Sequence, residues 1–349
     1  MLERIKGLPL AAGLLLAGGL ALVGWLGWNE FKPPSPPYRY VLVAEGAAGD
    51  FPVLNLSPEQ YPDLLIKKYE LRLEASDEPL VALHVAESEG SGPVLLDWHS
   101  DLNEPFINIS GDFQETTTLA EAIRKHSVTD SVLLAWWDVS ARLDVLTDRN
   151  YPFSEHLSQP LILPAEWNPL RPVIRALETS FWGVNESQTK ARAFEEFTQA
   201  LLADESTGAA LLRQITGARE DAFLILDLRD AYKLGSMYPE RFAIGFRDFP
   251  KSNDIHGIAG RIKEWLNEEG YESYAIQPMN EKMIRVYFLA DQKSQNTLLA
   301  KLLPFTTSDP IQAGVLDLVY QKKHYWVYRL EPKLSTENSK VSTQPLVNG

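Results

Sequence analysis

The chain has 349 residues, no cysteine, 23 prolines and a formal net charge of −14. The lack of cysteine excludes a disulfide scaffold, a zinc–thiolate site, an iron–sulfur cluster and a covalently attached c-type haem. So acidic a balance speaks against general nucleic-acid binding, which needs a basic face to neutralise phosphate, while an apolar share of 45% is that of a folded protein long enough for one large domain or two of average size.

From Gly7 to Asn29 there is no charged side chain, enough to cross ~30 Å of hydrocarbon as a helix rising ~1.5 Å per residue. Arg4 and Lys6 precede it, which favours a cytoplasmic N-terminus, and Trp25, Trp28 and Phe31 gather at the far end, where amphipathic rings settle at an interface. The rival reading is a cleaved signal peptide cut near Ala17-Gly18-Gly19. The apolar run continues to Trp28, which suits an uncleaved anchor better. Pro33-Pro34-Ser35-Pro36-Pro37 then reads as a stiff extended stalk. The expected layout is a cytoplasmic stub (1–6), a transmembrane helix (7–29), a Pro-rich stalk (30–37) and a body outside the cytoplasm of a bacterial cell, in the periplasm, with no second span. The first 32 residues sum to +1, leaving −15 for the rest.

Beyond the stalk, β-rich runs alternate with amphipathic stretches. Strands are predicted at Tyr40–Ala44, Tyr69–Leu73, Leu80–Ala86, Pro93–Trp98 and Phe106–Ile109. A helix follows at Leu119–His126, with Thr118 and Glu121 in capping-box spacing. Next come a strand Ser131–Trp137, a helix Ser140–Thr147 and a strand Leu161–Leu163. Helices are predicted at Arg171–Trp182, Ser187–Leu202 (stripe Ala191, Phe194, Phe197, Leu201) and Thr207–Thr216, closed by Gly217. The second half reads as strand Ala222–Leu228, a helical turn around Tyr232, strand Arg241–Phe246, helix Asp254–Glu269, strands Ser273–Gln277 and Ile284–Leu289, a helix at Leu298–Leu303, and a hairpin of Val315–Tyr320 with Tyr325–Leu330. A boundary at 216–221 would give halves 38–217 and 218–331, followed by a polar, disordered tail at 332–349. The expected class is α/β or α+β, a mixed sheet sandwiched by helices.

Asp97, Asp138 and Asp227 sit where strands should end, the edge at which ligand sites form in α/β sheets. Asp97 and His99, two apart on a strand, share a face that a metal or an acid/base pair could use. The competing reading is that each Asp caps the turn or helix that follows. On a strand, Trp136 and Trp137 point to opposite faces. One of them, with Arg142, would line a pocket or interface, unless helices cover both faces and both rings are core. Tyr232 and Lys233 could bind an anion or simply lie on a solvated helix face. No metal-ligand spacing, phosphate loop or nucleophile elbow appears, so neither a cofactor nor a catalytic signature is predicted.

Ala135-Trp136-Trp137-Asp138-Val139-Ser140-Ala141-Arg142, Leu146-Thr147-Asp148-Arg149, Pro160-Leu161-Ile162-Leu163-Pro164-Ala165, Phe181-Trp182-Gly183, Asp230-Ala231-Tyr232-Lys233-Leu234-Gly235, Arg247-Asp248-Phe249-Pro250 and Tyr325-Trp326-Val327-Tyr328-Arg329-Leu330 resemble the hydroxylamine oxidation protein HaoB family, from the anchor to about Leu330. That resemblance implies an accessory role in nitrification, assembling, tethering or docking the multihaem hydroxylamine oxidoreductase or a c-type cytochrome partner, and it supplies no catalytic residues. Trp136-Trp137-Asp138 also resembles the Trp-Trp-Asp motif of oligosaccharyltransferase catalytic subunits, which continues Tyr-Gly where this chain has Val139-Ser140. The alternative function is a periplasmic enzyme using Asp97, His99, Asp138 and Asp227 on a small or glycan-like substrate.

Overall fold

A computed structural model describes residues 17–25, 34–74, 76–87, 92–100, 113–157, 165–183, 188–251, 255–279, 282–308 and 316–330. The strands expected at Phe106–Ile109 and Leu161–Leu163, the stub and the tail lie outside them. Residues 17–25 form a helix, α1, with every side chain exposed. Among the described residues no helix is long and apolar enough to cross a membrane.

The body is mixed α/β, as expected, but the strands of the described residues form three sheets rather than one. The first is an antiparallel meander of β1 (Tyr38–Ala47), β2 (Leu65–Leu73), β3 (Pro79–Glu87) and β4 (Val94–His99), in that order. The central sheet has the order β10 (Asp317–Lys322), β11 (Tyr325–Arg329), β6 (Ala222–Asp227), β5 (Val132–Leu134). Only β5 and β6 run parallel; β11 pairs antiparallel with both β6 and β10. The pairing of β5 with β6 joins the two halves of the chain across the 216–221 boundary. A third sheet, β7 (Ile244–Pro250), β9 (Met283–Leu289), β8 (Ser273–Pro278), is covered by α8 (Ile255–Glu269).

β6 is buried along its whole length, and its side chains alternate between two cores. Leu224 and Leu226 join a large core that includes Leu71 and Leu83 of the first sheet and Leu289 of the third. Phe223 and Ile225 join a second core with Leu119 and Ile123 of α2 (Phe113–His126). A strand packed on both faces reads as a continuous apolar run, which is why Phe223-Leu224-Ile225-Leu226 shows no polar alternation.

Several boundaries move for identifiable reasons. α2 begins at Phe113, a turn and a half before the expected start. Thr118 is therefore interior, and its hydroxyl donates to the Gln114 carbonyl at 2.9 Å instead of capping. β5 stops at Leu134. Trp136 occupies the N-cap position of α3 (Trp137–Thr147), its carbonyl accepting from the Ser140 amide at 2.8 Å, so the two indoles do not alternate across a strand. The helical turn around Tyr232 is a full helix, α7 (Leu228–Met237). α4 (Arg171–Trp182) lies where periodicity placed it, and Gly183 closes it at φ +63°. α6 (Glu205–Ile215) is capped by Asp204, which accepts from the Thr207 amide at 3.0 Å.

Candidate functional site

Because β5 and β6 are parallel neighbours, the segments that leave their carboxyl ends start side by side. α3 follows β5 after two residues, and α7 follows β6 directly. Asp138 in the first turn of α3 and Asp227 at the end of β6 are thereby brought to one edge, together with Trp136, Trp137, Arg142, Asp230 and Lys233. All five charged residues are 4% exposed or less.

Lys233 Nζ donates to Asp138 Oδ1 at 2.8 Å and to Asp230 Oδ1 at 3.1 Å, while Arg142 donates to Asp138 Oδ2 at 3.1 Å and to the Asp138 carbonyl at 3.2 Å. Asp230 Oδ2 accepts the Asp227 amide at 2.8 Å, and Asp227 Oδ1 accepts the Arg229 amide at 2.7 Å, forming a capping box at the start of α7. The Lys233 ammonium also lies 5.4 Å from the centre of the Trp136 ring. Three carboxylates thus share two cations away from water. Burial pushes Asp230 above the ordinary carboxylate range against the pull of Lys233, with Asp227 and Asp138 adding repulsion. Burial opposes the charge on Lys233, but Asp138 and Asp230 outweigh it and hold its pKa above the ordinary value.

Around this core, Thr116 of α2 hydrogen-bonds Tyr325 of β11 at 2.9 Å, and Lys323 pairs with Glu115 at 2.7 Å. Both oxygens of Asp138 and of Asp230 are already engaged, so the cluster acts as an internal brace between α3 and α7.

The sequence candidates therefore divide. Asp138, Asp227, Trp136, Trp137, Arg142 and Lys233 come together, with both indoles in the main core. Capping describes Asp227 and not Asp138, whose side chain turns to Arg142 and Lys233. Lys233 is buried rather than on a solvated face. Tyr232 points the other way, edge-on to Phe246 at 5.6 Å between ring centres. Asp97 and His99 belong to β4 of a different sheet: Asp97 lies 3.7 Å from His84 Nδ1 on β3, and His99 is exposed. Among the described residues no three His, Asp or Glu side chains are grouped to hold a metal.

A second polar centre was not foreseen. Glu178 of α4 is fully buried and accepts from Tyr38 at 2.5 Å, Tyr40 at 2.9 and 3.0 Å, and the Trp182 indole at 2.7 Å. Burial pushes its pKa up to about 7, and the three neutral donors pull against that rise. Its rim is aromatic. Tyr40 stacks on Phe181 at 3.7 Å, and Trp182 stacks on His156 at 4.6 Å. His156 in turn meets Trp137 edge-on at 4.4 Å, and burial pushes its pKa down to about 3. One signal could have shown this centre: Ile174, Glu178 and Trp182 are the buried residues of α4, and their spacing of four places a carboxylate in the middle of an apolar stripe.

Fold and site together define a mixed α/β protein whose charged clusters brace its interior. The chain belongs to the HaoB family, whose model, described as HaoA-associated protein HaoB, matches residues 4–330. No curated protein matches it. Among solved structures it is similar to the C-terminal domain of PglB from C. jejuni, at 11% identity and a TM-score of 0.37 over 62% of this chain and 100% of that one, too slight a likeness to assign a shared fold or activity.

Proposed function

We propose that this protein is a membrane-anchored, periplasmic accessory partner of hydroxylamine oxidoreductase, holding that enzyme or its cytochrome acceptor at the inner membrane. The observation that carries the reading is the family match over nearly the whole chain, to proteins described as HaoA-associated. The exposed apolar helix α1 supports the anchor: Leu20, Leu22, Val23 and Trp25 all face outward, a surface that water does not favour and lipid does. The charge of −15 beyond the stalk supports docking to a basic redox partner, an attraction that steers encounter and weakens with salt.

The test is to solubilise the tagged protein from native membranes in detergent and identify what accompanies it by mass spectrometry and haem stain. Recovery of the multihaem oxidoreductase or a c-type cytochrome, released by raising ionic strength, is the expected result. A preparation free of haem proteins at low salt would sink the reading.

A further inference from the structure

The central sheet is wider than the helix that covers it. α2 packs Leu119 and Ile123 onto Leu133, Phe223 and Val327 of β5, β6 and β11, and leaves β10 at its flank. Between the helix and this edge strand lies a cleft of about 310 Å³. The pairing of β10 with β11 shifts register between Leu318 and Tyr320, and the bulge turns both Val319 and Tyr320 toward the cleft. Val319 is 44% exposed there. On the opposite wall Ala122, with its single methyl group, leaves the space open.

The two ends of the cleft differ. α2 runs along β11 from Thr116, bonded to Tyr325, to Ser127, which lines the cleft together with Arg329. The end near Leu119 and Tyr320 is mainly apolar, whereas His126 and Arg329 stand at the other. Arg329 shares a face with Tyr325 and Val327, because alternate residues of a strand point the same way. Its guanidinium lies 5.7 Å from the centre of the Phe223 ring, so the cation leans over the apolar floor. Asp317, opposite Arg329 on β10, is exposed. The Ser127 hydroxyl is committed elsewhere: it donates to the Ile123 carbonyl at 2.7 Å and accepts from Arg149 at 3.0 Å.

We propose that this cleft binds a medium-chain fatty acid, its hydrocarbon chain lying between α2 and β10 and its carboxylate at Arg329 and His126. Apolar walls that lead to a cation at one end match an amphiphile with a single anionic head. A guanidinium is always charged, and its planar fork fits a carboxylate. The volume sets the length of the chain. At about 30 Å³ for each methylene-sized group, the share one water takes in the liquid, the cleft holds about ten carbons. A phosphate or a nucleotide would leave the apolar walls wet, and a neutral alkane would make no use of the cation.

The test uses a decanoic acid analogue with a diazirine at the far end of its chain. Full-length protein in detergent is irradiated with it, and the labelled peptides are located by mass spectrometry. The label is expected at 119–122 or 319–320, displaced by decanoate and not by decanol at the same concentration. Arg329→Gln should raise the decanoate concentration needed for half-displacement about ten- to hundredfold, the worth of hydrogen bonds to a charged group. Ala122→Phe fills the cleft from the helix wall and should abolish the label. Val319→Glu, at a position exposed enough to spare the fold, sets a like charge on the other wall and should do the same. Label confined to α1, displacement by decanol equal to that by decanoate, or unchanged labelling of Val319→Glu would each overturn the proposal. These readouts are independent of whether a haem protein is recovered.

Discussion

Among the described residues, carboxylates are buried in two places and neutralised by different means. Beside β5 and β6, Asp138 and Asp230 are paired with Lys233 and Arg142, and Asp227 stands next to them as the cap of α7. On α4, Glu178 has two phenols and an indole as its partners. The first centre binds its elements by charge, and its members depend on one another to stay ionised in a medium that disfavours ions. The second can shed its charge by taking a proton, and its pKa of about 7 puts that event in the neutral range. Damage to a partner should therefore cost the first centre much more than the second, while the pH response of the second rests on Glu178 alone and that of the first, where burial pushes Asp230 up to about 7 as well, is shared with Lys233, Asp227 and Asp138.

The largest effect is expected from Lys233→Met, which keeps the length of the side chain and removes its charge. Asp138 and Asp230 would each lose a buried cation at hydrogen-bond distance. Breaking a buried pair from one side costs about 3–5 kcal/mol. Denaturant unfolding should show that loss as a lower midpoint with an unchanged slope. A cost below about 1 kcal/mol would mean that the carboxylates take up protons on demand, as Glu178 can, and the contrast between the centres would collapse.

The second prediction sharpens the pH side of the comparison. The folded pKa of Glu178, about 7, lies above its ordinary value of 4.5, so the folded state holds this proton more tightly than the unfolded one. Stability from this group is fully present below about pH 4.5 and is lost as pH rises through about 7. A shift of that size amounts to at most about 3 kcal/mol. Glu178→Gln keeps the shape and cannot ionise, so the fall in stability between pH 5 and pH 8 should shrink by up to that amount. Thermal unfolding of both proteins across that range measures it, and parallel curves would show that Glu178 keeps one protonation state throughout.

How much of this was legible in the sequence depended on whether a signal was local. Among the described residues the type and order of most elements followed from periodicity and from punctuation such as Gly183, Gly217 and Gly270, each at positive φ. The central sheet was legible only as apolar runs. That β5 and β6 are parallel neighbours follows from a crossover of more than 80 residues, which no local pattern records. Because that pairing makes the first centre, its members appeared as separate residues: Asp138 as a sheet-edge acid or a cap, Lys233 as an anion ligand or a surface cation, Trp136 and Trp137 as opposite faces of a strand. The Glu178 centre joins residues 140 apart in the chain. Its one local trace, an acid between Ile174 and Trp182 on a helix, looks like an error in the stripe until the two tyrosines of β1 are in place.

The smallest effect is expected from Asp227→Ala, and its smallness is informative. Asp227 caps α7 through the Arg229 amide, and loss of such a cap costs about 1 kcal/mol. The other half of the capping box survives, because Asp230 receives the backbone amide of residue 227 and alanine keeps that amide. The substitution also removes one of the negative charges that repel Asp230, so part of the cost is returned, and the net loss should fall below about 1 kcal/mol. The pKa of Asp230 should move down toward the ordinary carboxylate range, which a carboxyl-detected NMR titration would follow directly. If Asp227→Ala instead costs as much as Lys233→Met, the three acids and two bases form one indivisible unit. The brace between α3 and α7 would then belong to the whole cluster and not to the Asp138–Lys233–Asp230 bridge at its centre.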